Sequence, residues 1–401
     1  MWPLLLLLLW RTSGTSSCTQ NRSSPFSPDA SPMLYRPLGQ SGLRVSAISY
    51  GAWLTVSETG AVNLEKHVEI LKAAIRSGIN FIDNAEVYGA FPGESESIMG
   101  QALHQLLELG EVLRSDLVIS TKIFDGGNGV NDRGLSRKHI VEGMQSALHR
   151  MRLSYVDLVF CHRPDVTTPM EETVRAMNHI VDRGGADKEP IIFFGSCWVP
   201  LPCWAFYWGT SEWSAEQITH AHGVAMRLGL QGPLMEQPLY NLFHRDRVER
   251  EYASLYRTHG LGLTVYSPLA EGILAGRYSN GVPADSRAAL VGRKESLAKQ
   301  DKQIAAAFGL RSIAEEMNCS LPQLSLAWVL HNQHVSTAII GASRPSQIVD
   351  NVGAIACLSR FAADTVQKIE NEVSGVGAAA EMRYDISATM AARKLVSAGR
   401  V

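Results

Sequence analysis

Short apolar runs alternate with segments of helical periodicity along most of the chain. Eight of the runs have the length of buried strands, and they are Val45–Tyr50, Ile79–Asp83, Leu117–Lys122, Val156–Phe160, Phe206–Gly209, Leu234–Gln237, Leu261–Tyr266 and Ser336–Ile340. Between the runs, apolar residues recur every three or four positions, as they do from Leu64 to Ile75, which is the pattern of a helix with one buried face. Eight strand–helix repeats are the number that closes a barrel. The pattern therefore predicts an α/β protein with the (β/α)8 TIM-barrel fold.

Helix boundary signals support this alternation. Ser214 and Gln217 have the spacing of a capping box at a helix start, and Ser320 and Gln323 repeat it. Gly78 is placed to end the helix before the second strand. A doubly wound open sheet would produce a similar alternation, but no GxGxxG motif follows the first strand, which weakens a dinucleotide-binding Rossmann interpretation. We therefore predict a parallel sheet with helices outside it.

The chain divides into a leader, a barrel and a tail. We predict that residues 34–375 form a single barrel domain and that residues 376–401 form a C-terminal tail. Residues 1–33 contain the apolar run Leu4–Leu9, which is shorter than the roughly 20 residues needed to span a bilayer. The run has the length of a signal-peptide core although no Lys or Arg precedes it, and the scarcity of acidic residues after it is also typical of a transit peptide. Secretory targeting, organellar targeting and a leader with no targeting role therefore stay open.

One stretch before the fifth strand interrupts the regular alternation. Residues 185–204 are apolar and contain several prolines, whereas a connection from helix to strand normally takes only a few residues. An insertion that precedes a strand falls on the N-terminal face of a barrel, away from the catalytic face. We interpret it as a tolerated loop on that face or as translated intron sequence, and we favour an additional functional site least.

Composition and charge narrow the function classes. The chain has 401 residues, 45% of them hydrophobic and 19% charged, which is the composition of a globular protein. A formal net charge of -2 provides no basic field for neutralising phosphates, so nucleic acid is not an expected partner. The six cysteines are scattered without a CxxC pair, so we predict reduced, mostly buried thiols and no metal site.

Candidate catalytic groups occur where the predicted strands end. In a parallel barrel, catalytic side chains come from the C-terminal ends of different strands. The polar and ionisable residues at or just after those ends are Asp83, Tyr88, Lys122, His162, Ser211, Glu212, Gln237, Tyr266 and Ser267. This set indicates a site for proton transfer.

Tyr88 and Lys122 together predict a general acid. A free phenol has a pKa of about 10, and a neighbouring ammonium lowers it by stabilising the phenolate. Asp83 would keep Lys122 charged and fixed, and His162 could donate a hydrogen bond to a substrate carbonyl oxygen. A carbonyl that accepts a proton on oxygen also needs a hydride on carbon, which side chains cannot supply, so a nicotinamide cofactor is implied.

Longer motifs surround these residues. They are Tyr35–Val45, Phe81–Tyr88, Ser120–Phe124, Arg133–His139, His162–Asp165, Thr168–Met177 and Tyr207–Ser214. Together they resemble the aldo-keto reductases, and more narrowly the plant-type members of the voltage-gated potassium channel β subunits. The resemblance extends from about Leu34 to Val373, nearly the whole predicted barrel apart from the insert. It implies that Asp83, Tyr88, Lys122 and His162 form the catalytic tetrad, with Tyr88 as the proton donor.

The same resemblance implies a nucleotide-cofactor site. Ser211 and Gln237 are expected to hold the nicotinamide carboxamide, and Tyr266 is expected to stack on the nicotinamide ring. The other positions assigned to the cofactor are Trp53, Asp83, Glu212, Ser267, Pro268, Leu269, Ala270, Glu271, Arg277, Arg287, Gly341, Ser343, Arg344, Gln347, Asp350 and Asn351. Independently of the family, Ser343 and Arg344 precede a proline that opens a helix, and a helix N-terminus beside a guanidinium suits a phosphate dianion. NADP(H) is therefore expected in preference to NAD(H).

Three residues of this chain differ from those expected in the family that it resembles. Asp125 stands where an apolar residue is expected, Glu271 where a small residue is usual, and Ala52 where Thr is common. None of them removes a member of the tetrad. Asp125 replaces an apolar pocket wall with a charge, and Glu271 is expected to weaken cofactor binding close to the pyrophosphate.

The resemblance implies two functions that do not exclude each other. The first is an NADPH-dependent oxidoreductase that reduces aldehydes or ketones with a small carbonyl compound as its substrate. The second is a regulatory, redox-sensing subunit of a voltage-gated potassium channel, with slow or incidental turnover and assembly into a homo-tetramer. Both imply a cytoplasmic protein, which a channel α subunit would hold at the membrane.

Overall fold

Eight parallel strands close into a barrel in the computed structural model. The structure describes residues 26, 33–53, 64–182, 191–194, 197–200, 203–278 and 300–376. For residues 191–194 and 197–200 it describes the backbone only. In order around the barrel these strands are β3 (Ile48–Gly51), β4 (Phe81–Asp83), β5 (Val118–Ile123), β6 (Val156–Cys161), β9 (Ala205–Ser211), β10 (Met235–Gln237), β11 (Gly262–Val265) and β12 (Val335–Ile340). Strand β12 pairs with β3 in parallel, which closes the barrel. The predicted (β/α)8 barrel is confirmed.

Helices follow the barrel strands and cover their outer surface. They are α1 (Leu64–Arg76), α2 (Glu94–Glu108), α3 (Arg137–Met151), α4 (Met170–Asp182), α5 (Ala215–Leu228), α6 (Ala253–His259), α7 (Asp301–Glu316), α8 (Leu321–His331), α9 (Pro345–Val352), α10 (Ala354–Leu358) and α11 (Ala363–Val373). Shorter turns of helix lie at Arg114–Asp116, Arg247–Glu251 and Ala270–Ala275. The two predicted capping boxes form, because Ser214 and Ser320 each accept a hydrogen bond from the backbone N–H three residues later. These caps fix where α5 and α8 begin.

The first predicted strand is in fact two strands. The run Val45–Tyr50 breaks at Ala47, so that Arg44–Ser46 (β2) pairs in antiparallel fashion with Tyr35–Pro37 (β1), and only β3 enters the barrel. The Asn80 side chain accepts a hydrogen bond from Ser46 N at 2.7 Å and donates one to Arg44 O at 3.1 Å. These bonds pair with backbone groups of β2 that a parallel neighbouring strand would otherwise use. The periodicity of apolar residues does not reveal this contact.

The β1–β2 hairpin closes the N-terminal end of the barrel. Side chains of the hairpin and its turn pack against side chains of the barrel interior in one buried apolar cluster. The cluster consists of Leu38, Val45, Phe81, Val118, Leu158, Phe160 and Met235. Because apolar side chains fill this end, the polar strand ends at the opposite, C-terminal face remain for chemistry.

The insert before the fifth barrel strand contains a small hairpin. Ile191–Phe194 (β7) and Cys197–Pro200 (β8) pair in antiparallel fashion and form a separate two-stranded sheet. The sequence led us to interpret residues 185–204 as a loop or as translated intron sequence, and neither interpretation included these two strands. Within the part of the chain that the structure describes, no helix has the length and apolar character needed to cross a membrane.

A buried histidine on α1 makes stability depend on pH. His67 is 1% exposed, and neither of its ring nitrogens has a hydrogen-bond partner among the described residues. Burial lowers the pKa of His67 to about 4. The unfolded chain therefore binds a proton at His67 below about pH 6.5 that the folded chain does not bind until about pH 4, so the free energy of unfolding falls as the pH drops through this range.

Replacing His67 by phenylalanine is expected to remove this acid sensitivity. Between pH 7.5 and pH 5, the H67F variant should lose about 2 kcal/mol less unfolding free energy than the wild type, since it has no proton to take up on unfolding. Urea denaturation at the two pH values measures the difference. H220F serves as the control because His220 is exposed on α5. Equal acid losses in H67F and the wild type would contradict the account.

Candidate active site

Lys122 is the centre of a buried polar cluster at the C-terminal face of the barrel. Its side chain is fully buried, and its Nζ donates three hydrogen bonds, to Asp83 Oδ2 at 2.5 Å, to the carbonyl oxygen of Asn84 at 2.7 Å and to Tyr88 OH at 3.0 Å. An ammonium has three donors, so each of them is used. Because the Tyr88 oxygen accepts from Lys122, its own O–H is left to donate to another group.

Asp83 is held on its other side as well. Its Oδ1 accepts hydrogen bonds from Ser120 Oγ at 2.7 Å and from Gln237 Nε2 at 3.2 Å. Both carboxylate oxygens are therefore engaged, which is what a buried ion pair needs to offset the loss of water. Gln237 also donates to Thr264 Oγ1 at 3.4 Å, and thereby links the ends of β4, β10 and β11.

The parallel register and one loop bring these groups together. Asp83 ends β4 and pairs with Ser120 of β5, and Lys122 lies two residues further on, on the same face as Ser120. The loop after β4 then folds back along β5, because Glu86 N donates to Lys122 O at 3.2 Å and Tyr88 N donates to Ala85 O at 3.1 Å. This path returns the Tyr88 phenol to the Lys122 ammonium.

His162 lies against the Tyr88 ring just after β6. The two rings meet edge to face with their centroids 5.6 Å apart, and His162 N donates to Ile123 O at 3.1 Å. Burial lowers the pKa of His162 well below its ordinary value, and the positive charges of Arg163 and Lys122 lower it further. The imidazole is therefore neutral near pH 7 and has one N–H to donate.

The open side of the cluster is lined by Trp53, whose ring centroid lies 5.9 Å from that of Tyr88. Trp53 is 36% exposed, so Tyr88 lies between a buried cation and a surface aromatic. A substrate can therefore approach the phenol from solvent while Lys122 stays covered.

Ser211 and Gln237, both predicted to bind the cofactor, are in direct contact. Ser211 Oγ donates to the Gln237 carbonyl oxygen at 2.9 Å and accepts from Arg163 Nη1 at 3.1 Å. These contacts join the ends of β9 and β10 to the residue that follows His162. The structure therefore places this pair within the same hydrogen-bonded network as Asp83.

Glu212, another residue expected to contact the cofactor, is held by groups around the end of β10. Its Oε1 accepts from Leu239 N at 2.7 Å and its Oε2 accepts from Arg247 Nη1 at 2.5 Å. It is also hydrogen-bonded to Tyr266, and burial followed by the Glu212 charge raises the pKa of Tyr266. In this arrangement Glu212 orients Tyr266 and the chain after β10.

The loop after β11 has an unusual backbone. Among the predicted residues Ser267, Pro268, Leu269, Ala270 and Glu271, three non-glycine residues have left-handed φ values, 49° at Ser267, 46° at Ala270 and 56° at Glu271. Asn241 Nδ2 holds the Ser267 carbonyl at 3.0 Å, and Tyr278 OH donates to the Glu271 carbonyl at 3.0 Å. Left-handed conformations of such residues cost energy and are concentrated at binding sites.

The segment after β12 begins α9 as predicted. Gln347 Oε1 accepts from Ser343 N at 2.7 Å and from Arg344 N at 3.2 Å, while the Arg344 side chain is exposed. A side chain added at Gly341 would meet nothing within 4 Å, so open space lies beside this turn. An exposed guanidinium, free space and a helix start provide room and charge for a phosphate.

The remaining predicted residues differ in what they contact. Asn351 is buried on α9, whereas Asp350 accepts from Gln323 Nε2 at 3.0 Å and so faces α8. Arg277 lies just after the turn at Ala270–Ala275. Arg287 lies outside the described residues.

Two departures from the family pattern take defined positions. Asp125 is partly buried, which raises its pKa, and its Oδ1 lies 3.9 Å from Arg133 Nε. Ala52 N donates to the Asp83 carbonyl at 2.8 Å, so the backbone of the residue before Trp53 is bonded to the end of β4. Neither departure disturbs the contacts of Lys122.

Sequence reasoning missed three supporting groups. Ser120 and the Asn84 carbonyl fix Asp83 and Lys122, and Arg163 contacts Ser211. Ser120 had a readable signal, since it lies two residues before Lys122 on one strand. The Asn84 carbonyl had none, because its position depends on the path of the loop.

A closed (β/α)8 barrel with an ionisable cluster at its C-terminal face is the architecture of a barrel enzyme. Comparison with known proteins agrees: the model of the Aldo/keto reductase family matches residues 47–187 and 205–372. The chain is 49% identical over 341 residues to a probable voltage-gated potassium channel subunit beta of Oryza sativa subsp. japonica, an alignment that covers 84% of this chain and 96% of that protein. It is 48% identical over 344 residues to a protein of the same description from Arabidopsis thaliana, which covers 85% and 97%. The chain belongs to the aldo/keto reductase family, a family of oxidoreductases.

Proposed function

We propose that this protein is an NADPH-dependent reductase of aldehyde or ketone carbonyls in which Tyr88 is the general acid. The observation that carries the proposal is the geometry of Lys122, whose Nζ lies 3.0 Å from the Tyr88 oxygen and 2.5 Å from Asp83. Asp83 fixes this ammonium in contact with the phenol oxygen, where its positive charge favours the phenolate form of Tyr88.

The proposed step transfers the Tyr88 proton to the substrate oxygen. As the proton leaves, negative charge develops on the Tyr88 oxygen, and the fully buried Lys122 ammonium stabilises it. Asp83 keeps the ammonium oriented during this change. The neutral His162 donates its single N–H to the same carbonyl oxygen, which orients the substrate without competing for the proton.

The site residues fit a nicotinamide dinucleotide. When bound, the nicotinamide supplies the hydride that the carbonyl carbon requires. Ser211 and Gln237 would hold its carboxamide, and Tyr266 offers a partly exposed aromatic ring directly after β11. The exposed Arg344 and the space beside Gly341 would accommodate a phosphate on the adenosine side.

Arg344 is expected to determine the preference for NADPH. Replacing Arg344 by glutamine removes a charge-assisted contact to the extra phosphate, worth about 1.5–3 kcal/mol, so the Kd for NADPH should rise about 10- to 100-fold. The Kd for NADH should change little, because NADH lacks that phosphate. Fluorescence titration with each nucleotide measures the two Kd values. An equal loss of affinity for NADPH and NADH would contradict the assignment.

The test of the proposed function is oxidation of NADPH by the purified full chain in the presence of an aldehyde such as 4-nitrobenzaldehyde. Loss of nicotinamide absorbance that depends on both the aldehyde and the protein supports it. Cofactor binding without any turnover of a panel of aldehydes and ketones would overturn it.

The names of the two relatives favour a second function, that of a channel subunit. In this proposal the chain binds the cytoplasmic part of a potassium channel α subunit as a homo-tetramer, and its bound cofactor reports redox state while turnover is slow. Light scattering of the purified protein and co-purification with a plant potassium channel test it. A monomer with fast turnover would count against it.

The family match also supports the proposed domain limits. The match leaves out residues 188–204 and ends at residue 372. We infer that the barrel domain covers residues 34–375, that residues 185–204 are an insert, and that residues 1–33 and 376–401 lie outside the catalytic body. Residues 1–25, 27–32 and 377–401 lie outside the described part of the chain.

A further inference from the structure

Two cysteines that the proposed reaction does not use lie against each other beside α9. The Sγ atoms of Cys319 and Cys357 are 2.9 Å apart, about 0.9 Å more than the roughly 2.05 Å of a disulfide bond. Both are free thiols. Cys357 is fully buried on α10, whereas Cys319, which precedes the N-cap Ser320 of α8, is partly exposed.

The backbone on both sides holds the two thiols in place. Cys319 N donates to Ala314 O at 2.9 Å at the end of α7, and Cys357 N donates to Gly353 O at 3.3 Å. Arg360 Nη2 donates to the Asn318 carbonyl at 3.4 Å, which joins the turn before Cys319 to the chain after α10. The approach of the sulfur atoms is therefore built into the packing of two helices.

We propose that Cys319 and Cys357 are a redox-active dithiol that closes into an intramolecular disulfide by exchange with glutathione disulfide. The Cys319 thiolate attacks one sulfur of glutathione disulfide, the S–S bond breaks, and one reduced glutathione leaves. Cys357 then loses its proton and attacks Cys319 Sγ in the mixed disulfide, which releases the second glutathione. Two electrons pass from the protein dithiol to glutathione disulfide, so one disulfide is reduced for each one formed.

Exposure decides the order of the two steps. Solvent reaches Cys319, so it can meet the oxidant, whereas Cys357 is covered. Burial, together with the neighbouring Cys319, raises the pKa of Cys357 to about 12. Cys357 is thus a poor nucleophile toward an external reagent, and it reacts with the sulfur that lies next to it.

A bridge at this point would restrain α9 and α10. Ser320 Oγ lies 3.4 Å from both carboxylate oxygens of Asp350, and Gln323 Nε2 donates to the Asp350 carbonyl at 2.9 Å. The disulfide would join the start of α8 to α10, and so add a covalent bond next to this contact between α8 and α9. It would therefore slow local opening of the segment that contains Asp350 and Asn351. This thiol chemistry does not require the proposed reductase function.

The experiment equilibrates the purified full chain in glutathione buffers of increasing oxidised fraction, then traps remaining thiols with an alkylating agent under denaturing conditions. Peptide mass mapping should show a crosslinked peptide that contains Cys319 and Cys357, with both losing alkylation together and regaining it in dithiothreitol. Amide hydrogen exchange of residues 345–358 should slow on the order of tenfold in the bridged protein.

Matched variants test the order of the steps. C357A should keep glutathione attached to Cys319, because the resolving thiol is gone, and C319S should leave Cys357 reduced. C203S, which changes a buried cysteine elsewhere, should behave as the wild type. A stable mixed disulfide at Cys319 in the wild type, or two thiols still alkylated in the most oxidising buffer, would overturn the proposal.

Discussion

Replacing Tyr88 by phenylalanine is expected to lower kcat for aldehyde reduction by about 10²- to 10⁴-fold, the usual contribution of a general acid. The change removes one oxygen and keeps the ring that contacts Trp53 and His162. The Kd for NADPH should stay within about twofold of the wild type, because Tyr88 acts on the substrate oxygen and not on the cofactor. Steady-state kinetics and fluorescence titration measure the two quantities.

The control for this prediction is Y207F. Tyr207 lies on β9 against the apolar cluster that closes the N-terminal end of the barrel, so the same chemical change is made at the opposite end. Y207F should retain the kcat of the wild type. If Y88F retained more than about a tenth of that kcat, the proton would come from another group.

Replacing Lys122 by methionine is expected to have a large effect on both stability and activity. Methionine fills similar space, but the buried Asp83 carboxylate loses its 2.5 Å partner. Breaking one side of a buried ion pair costs about 3–5 kcal/mol of unfolding free energy. The kcat should fall at least as far as in Y88F, since the phenolate loses the cation that stabilises it. Urea denaturation and steady-state kinetics are the measurements.

The double variant D83N/K122M separates the two effects. Removing both charges leaves no uncompensated carboxylate, so the double variant should be more stable than K122M while its kcat stays low. If the stability losses of the single variants D83N and K122M simply added in the double variant, the uncompensated buried charge would not be the cause of the destabilisation.

Much of the barrel could be predicted because the sequence features that indicate its strands and helices lie close together in the chain. Each buried strand is an apolar run, and the caps at Ser214 and Ser320 depend on residues only three positions away. The meeting of Asp83 and Lys122 could be predicted for a related reason, since parallel strands end at one face of the barrel and so bring distant residues together.

The parts that could not be predicted depend on contacts between distant residues. The break at Ala47 follows from Asn80, which lies 34 residues after Ser46 in the chain. The engagement of Glu212 by Arg247 depends on the turn of helix after β10, and no periodic pattern records such a contact. The contact of Cys319 with Cys357 likewise requires α8 and α10 to pack, and the spacing of the cysteines in the sequence does not show it.

The most direct test of the central claim is to follow the hydride itself. The wild-type protein is incubated with an aldehyde and with NADPH that carries deuterium at the hydride-donating position of the nicotinamide, and the product alcohol is examined by mass spectrometry. We predict one deuterium on the carbinol carbon of the product, and about 10²- to 10⁴-fold less of this deuterated alcohol when Y88F replaces the wild type at equal protein concentration and time. Alcohol formed without deuterium from the cofactor, or no alcohol at all, would contradict the account.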